Sequence, residues 1–80
     1  METRESLYYS RYCYFCQKVL SFLKKKNMDI ELRSTGESQH KKSLMRGGGK
    51  TQVPCLRIDS ESGTKWMYES NDIIRYLDSA

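Results

Sequence analysis

Residues 12–17, Tyr-Cys-Tyr-Phe-Cys-Gln, set Cys13 and Cys16 around two aromatic residues. What flanks them decides the fold. Upstream, Ser6–Ser10 (SLYYS) is short and aromatic, which suits a strand. Downstream, Cys16, Val19, Leu20 and Leu23 recur at helical spacing, and Phe15, Val19 and Phe22 form an adjoining stripe. This predicts a well-buried helix over Phe15–Lys26, with basic Lys24, Lys25 and Lys26 at the end that favours cations and Asn27 as its stop. DIELR (29–33) alternates and reads as a second strand. A strand–helix–strand unit closes parallel with a right-handed crossover.

The rest of the chain extends this order. Ser38 is placed to cap a short helix through Leu44 and Met45, which Gly47, Gly48 and Gly49 should stop. PCLRID, beginning at Pro54, and KWMY (65–68) read as two strands joined by a short polar link, hence an antiparallel hairpin. In SNDIIRYLD, Ser70 suits an N-cap, Asp72 the first turn, and Ile73, Ile74 and Leu77 a buried face. The expected order is βαβ, a short helix, then ββα. The expected core also takes Leu7, Val19, Leu20, Leu23, Ile30, Leu32, Leu56 and Ile58, with Trp66 and the tyrosines packed on the sheet.

Eighty residues give one small domain, expected to span 1–80. With 38% hydrophobic and 30% charged residues the composition is that of a globular chain. A net charge of +4 mildly favours anionic partners, but the basic residues form no single stripe, so no nucleic-acid partner is expected. The N-terminus lacks an apolar signal region and no stretch reaches membrane-spanning length, so no membrane partner is expected either. Three cysteines, an odd number with only two close together, do not read as a secreted disulfide framework. A reducing, cytoplasmic setting is inferred.

Three readings of the cysteine pair compete. Both thiols could be small buried hydrophobes. Both could ligate zinc, but four ligands are needed and only Cys55 and His40 are in reserve, so no metal site is expected; His40 is read as an exposed residue of the short helix. The third reading is a redox pair. Cys13 at a helix start meets the positive end of the dipole and unpaired N–H groups, a setting that draws a thiol from a pKa of about 8.5 toward about 3.5–7.5. Cys16, one turn further in among apolar neighbours, should stay protonated, and Arg11 could add positive charge. A Cys-x-x-Cys between first strand and first helix is the thioredoxin-like placement.

With YCYFC, GGKTQVPCL and YESNDIIRYLD in this order, the chain resembles the glutaredoxins, and among them those built like the N-terminal domain of glutathione S-transferases. The resemblance covers essentially the whole chain. It implies an α/β thioredoxin-like (glutaredoxin) fold, a four-stranded mixed sheet flanked by helices. It implies Cys13 as nucleophile and Cys16 as resolving thiol, the two forming a redox-active disulfide. General preference makes an X–Pro bond trans, but the resemblance implies a cis-proline at Pro54. It further implies that Val53 offers its backbone N–H and C=O to glutathione, and that Glu69 and Ser70, with Asn71 beside them, hold the γ-glutamyl end. Arg11, Tyr14, Phe15, Lys50 and Gln52 become candidate outer contacts.

The function so implied is a monomeric enzyme that uses glutathione as co-substrate to reduce protein disulfides and protein–glutathione mixed disulfides. Two alternatives stand beside it: a glutathione-ligated iron–sulfur-cluster protein, and the N-terminal domain of a transferase-like protein, which would continue into a helical domain. Three positions depart from the family pattern. Tyr14-Phe15 replaces Pro-Tyr between the cysteines, Ser10 stands where many members carry lysine, and Cys55, read as a packed thiol, follows Pro54 directly.

Overall fold

A computed structural model describes residues 3–79. The elements run β1 (Arg4–Tyr9), α1 (Tyr14–Lys25), β2 (Glu31–Ser34), α2 (Ser38–Gly48), β3 (Cys55–Ser60), β4 (Gly63–Met67) and α3 (Ser70–Asp78). The sheet order is β2-β1-β3-β4. β1 pairs parallel with β2, Leu7 opposite Leu32, and antiparallel with β3, Leu7 opposite Leu56; β3 and β4 form the expected hairpin. This is the mixed four-stranded sheet of a glutaredoxin-like thioredoxin fold.

β1 is central, so successive residues are buried on opposite faces. Leu7 joins Val19, Leu23, Leu56, Ile58, Ile73 and Leu77 beneath α1 and α3. Tyr8 joins Leu44 and Cys55 beneath α2, with Val53, Trp66 and Tyr68 packed against them. Each fully buried aliphatic side chain contributes about 1.5–3 kcal/mol, so the larger cluster under α1 and α3 supplies most of the apolar stabilisation.

Several expectations shift. β1 starts earlier, because Arg4 and Glu5 extend the ladder against Asp59 and Ile58, and Ser10 leaves the strand to accept the Cys13 N–H at 3.2 Å. β2 starts at Glu31, and Leu32 is 47% exposed rather than core. β2 is an edge strand, beyond the cover that α1 and α3 give to β1 and β3. α1 buries one face, Cys16, Val19 and Leu23, and leaves Phe15 56% exposed. Its end does lie at Asn27, which takes φ 54°; Asn27 N–H donates to the Lys24 carbonyl and Met28 N–H to the Leu23 carbonyl, closing the last turn.

At α2, Ser38 is the first helical residue rather than the cap, which is Glu37. Gly47 and Gly48 stay helical, and only Gly49, at φ 89°, ends the helix. Their lack of side chains serves contact instead: a Cβ on Gly47 would overlap the Trp66 indole, and one on Gly48 the Tyr68 hydroxyl. At α3 the cap is Glu69, and Ser70 is the buried first residue of the helix.

Candidate active site

Cys13 is the N-cap of α1, with extended backbone at φ −92° and ψ 120°. That geometry turns its side chain back over the first turn, and the Cys16 N–H donates to Cys13 Sγ at 3.3 Å. The sulfur therefore takes the place that a serine or aspartate oxygen usually fills, satisfying one of the unpaired donors of the helix start. The same sulfur lies 3.8 Å from the Val53 carbonyl oxygen, just before the Val53–Pro54 peptide, which is cis. Cys13 is half-buried, whereas Cys16 and Cys55 are buried; all three are free thiols.

Burial pushes the Cys16 thiol up to about 12, and its hydrogen bond to Cys13 adds to this; the Ser10 N–H, 3.4 Å from Cys16 Sγ, works against it. The two cysteines are thus chemically unequal. One presents a half-buried sulfur to the Cys16 N–H, and the other, buried, holds its proton.

Pro54 is buried, Val53 half-buried, and Gln52 exposed. At α3, Glu69 and Asn71 are exposed around buried Ser70. Asn71 Oδ1 accepts from Lys18 Nζ at 2.7 Å, tying the start of α3 to α1. Lys18 was not among the residues singled out from the sequence; its position one turn after Tyr14 on α1 was the available signal. Tyr14 is 77% exposed and packs edge-to-face on Phe15 at 5.4 Å between ring centroids.

Arg11 lies apart from Val53. It lines a groove of about 590 Å³ with Tyr9, Gln17 and Ser34, on the β2 side of β1, while Val53 leads into β3 on the other side. Lys50 Nζ sits 4.6 Å over the Tyr68 ring. Cys55 packs with Tyr8 and Leu44; burial pushes its thiol up to about 11, opposed by the Tyr68 hydroxyl. His40 is half-buried rather than exposed, its Nδ1 3.2 Å from the Ser34 carbonyl oxygen. Among the described residues no three His, Cys, Asp or Glu side chains are grouped as metal ligands, and no helix is long and apolar enough to cross a membrane.

Comparison with known proteins bears on this arrangement. The family model described as glutathione S-transferase, N-terminal domain, matches residues 7–80. The solution structure of glutaredoxin from Brucella melitensis superposes with a TM-score of 0.59, at 13% identity, over 96% of this chain and 80% of that one. At that identity the likeness is one of fold. No curated protein matches the chain.

Proposed function

This chain belongs to the glutathione S-transferase N-terminal domain family, and from that premise we propose that it is a glutathione-dependent thiol–disulfide oxidoreductase of the glutaredoxin type. The observation that carries the reading is the Cys13 sulfur, held at the start of α1 by the Cys16 N–H and facing the Val53 backbone.

The proposed cycle begins with Cys13 as thiolate. It attacks the glutathione sulfur of a protein–glutathione mixed disulfide. The S–S bond breaks, the protein sulfur leaves with the electron pair and takes a proton, and Cys13 now carries glutathione. A second glutathione thiolate attacks that glutathione sulfur, releasing oxidised glutathione and restoring Cys13. On a protein disulfide, Cys13 forms a mixed disulfide with the protein, and Cys16 displaces it. The resulting Cys13–Cys16 disulfide is reduced by two glutathione molecules, which leave as one oxidised glutathione.

In this reading the Val53 main chain pairs with the cysteinyl part of glutathione, strand to strand. The start of α3 at Glu69, Ser70 and Asn71 receives the γ-glutamyl carboxylate, since helix N-termini favour anions. Lys18, held at Asn71, adds positive charge there. Gln52, Pro54, Tyr14 and Phe15 border the same site. Arg11, facing the β2 side, steers the anion at longer range.

The test is release of glutathione from a glutathionylated peptide, coupled to glutathione reductase. Cys13→Ser should abolish turnover, and Cys16→Ser should retain deglutathionylation while losing reduction of protein disulfides. Full turnover by Cys13→Ser would refute the assignment. The family match also favours a conjugating transferase as second reading; glutathione addition to an aryl halide that persists in Cys13→Ser would support it instead.

A further inference from the structure

On the face of the sheet away from α1, α2 leaves a groove of about 430 Å³ against β3 and β4. Its walls carry Lys42, Ser43 and Arg46 from α2, Arg57 from β3 and Trp66 from β4. Lys42 and Arg46 are both exposed and stand at i and i+4, a spacing at which like charges oppose the helix. Neither makes an ion pair among the described residues. Arg57 is stacked 5.2 Å over the Trp66 ring, with its guanidinium also bonded to Asp59 at 3.0 Å.

Tyr8 lies beneath this groove, bonded to Ser43 of its wall. Tyr8 is fully buried, and its Oη takes the Arg33 Nη1 donor at 2.7 Å and pairs with Ser43 Oγ at 3.1 Å. Burial pushes the phenol up, yet bonds from Ser43, Arg57 and Arg33, with the Arg33 charge, bring it below its ordinary value. Three cations line the groove, Lys42, Arg46 and Arg57, and of these only Arg57 is paired among the described residues, with Asp59; Arg33, paired with Glu31, lies behind Tyr8. Each guanidinium has five donors and uses only some of them on these partners.

We infer that this groove between α2 and the β3–β4 hairpin binds a small, multiply charged phosphate ligand. The Arg57 fork, held by Asp59, with exposed Lys42 and Arg46 beside it, matches the spread oxygens of phosphate groups. The volume is that of a small-molecule site. The Trp66 ring is already engaged, by Arg57 at 5.2 Å and by the tilted Tyr8 ring at 5.7 Å, so recognition falls on charge rather than on base stacking. The site lies across the sheet from Cys13 and does not depend on the reaction proposed there.

Trp66 is the single tryptophan of the chain, so intrinsic fluorescence reads the groove directly. The chain is titrated with inorganic pyrophosphate at fixed ionic strength, with calorimetry as second readout. Saturation below about 1 mM is expected, weakened at least about tenfold in Lys42→Gln/Arg46→Gln, whose surface positions leave the fold intact by circular dichroism. Cys13→Ser should bind as the parent chain does. The inference is overturned if neither readout saturates, if sodium chloride of equal ionic strength gives the same response, if citrate binds more tightly than pyrophosphate, or if the double variant binds unchanged.

Discussion

Timed alkylation of the reduced, folded chain separates the three thiols on physical grounds stated by the structure. Alkylation proceeds through the thiolate. Burial puts Cys16 at about 12 and Cys55 at about 11. At pH 8 those values leave about one Cys16 in 10,000 and about one Cys55 in 1,000 ionised, against about one in four for an ordinary thiol of pKa about 8.5. Ionisation alone then slows Cys16 about 2,000-fold and Cys55 about 200-fold relative to an unperturbed cysteine, and exclusion of reagent from the core slows both further. Iodoacetamide at pH 8, quenched at intervals and read by peptide mass spectrometry, should give one label per chain, on Cys13, which alone is half-buried. Raising the pH to 10 should bring Cys55 in ahead of Cys16. Cys13→Ser removes the Cys13 charge from beside Cys16 but leaves its burial, the largest cause of the shift, so Cys16 should stay slow. Labelling of Cys16 at a rate comparable to Cys13, or its release in Cys13→Ser, would refute burial as the dominant cause and with it the unequal pair.

The same shifts act on stability. Both buried thiols bind their protons more tightly folded than unfolded, so their contribution is complete below pH about 8.5 and is lost as pH rises toward about 11 for Cys55 and about 12 for Cys16, at about 1.4 kcal/mol per pH unit for each. Urea midpoints between pH 8.5 and 10.5 should fall, and fall less in Cys55→Ala; a flat profile would contradict the burial of these groups. Gly47→Ala gains about 1 kcal/mol of helix propensity at an open site, but here its Cβ meets the Trp66 indole, and overpacking costs about 1–3 kcal/mol. Its Tm should therefore drop, and a rise would show that α2 does not lie against Trp66. Ser6 Oγ is fully buried without a hydrogen-bond partner. Ser6→Ala relieves a desolvation penalty of about 1–3 kcal/mol, so Tm should rise by about 4–8 °C per kcal/mol recovered; a lower Tm would mean that the hydroxyl has a partner.

Much of the fold was legible because each element carries its own periodicity and its own stop. Cys16, Val19 and Leu23 announce one buried face of α1, and Asn27 marks its end with the backbone conformation that closing it requires. The errors fall where a neighbour decides. Leu32 reads as core from alternation, and only its edge position in the sheet exposes it. Gly47 and Gly48 read as a helix stop, because nothing local reveals that Trp66 and Tyr68 press on that helix. Tyr8, Leu44 and Cys55 were not grouped in advance, since they come from three separate elements. At the candidate site the cysteine spacing and its place before a helix were visible, whereas Lys18 at Asn71 came only from the packing of α1 on α3.

By itself the sequence determined the element order, the parallel βαβ start, the hairpin, and the place of Cys13 at the beginning of a helix. These follow from spacing within single segments and from short connections. The tertiary structure decided which side chains meet: the Val53 carbonyl against Cys13, and the burial that sets Cys16 and Cys55 apart from it. Burial and long-range contact depend on which surfaces cover each other, and no local pattern encodes that.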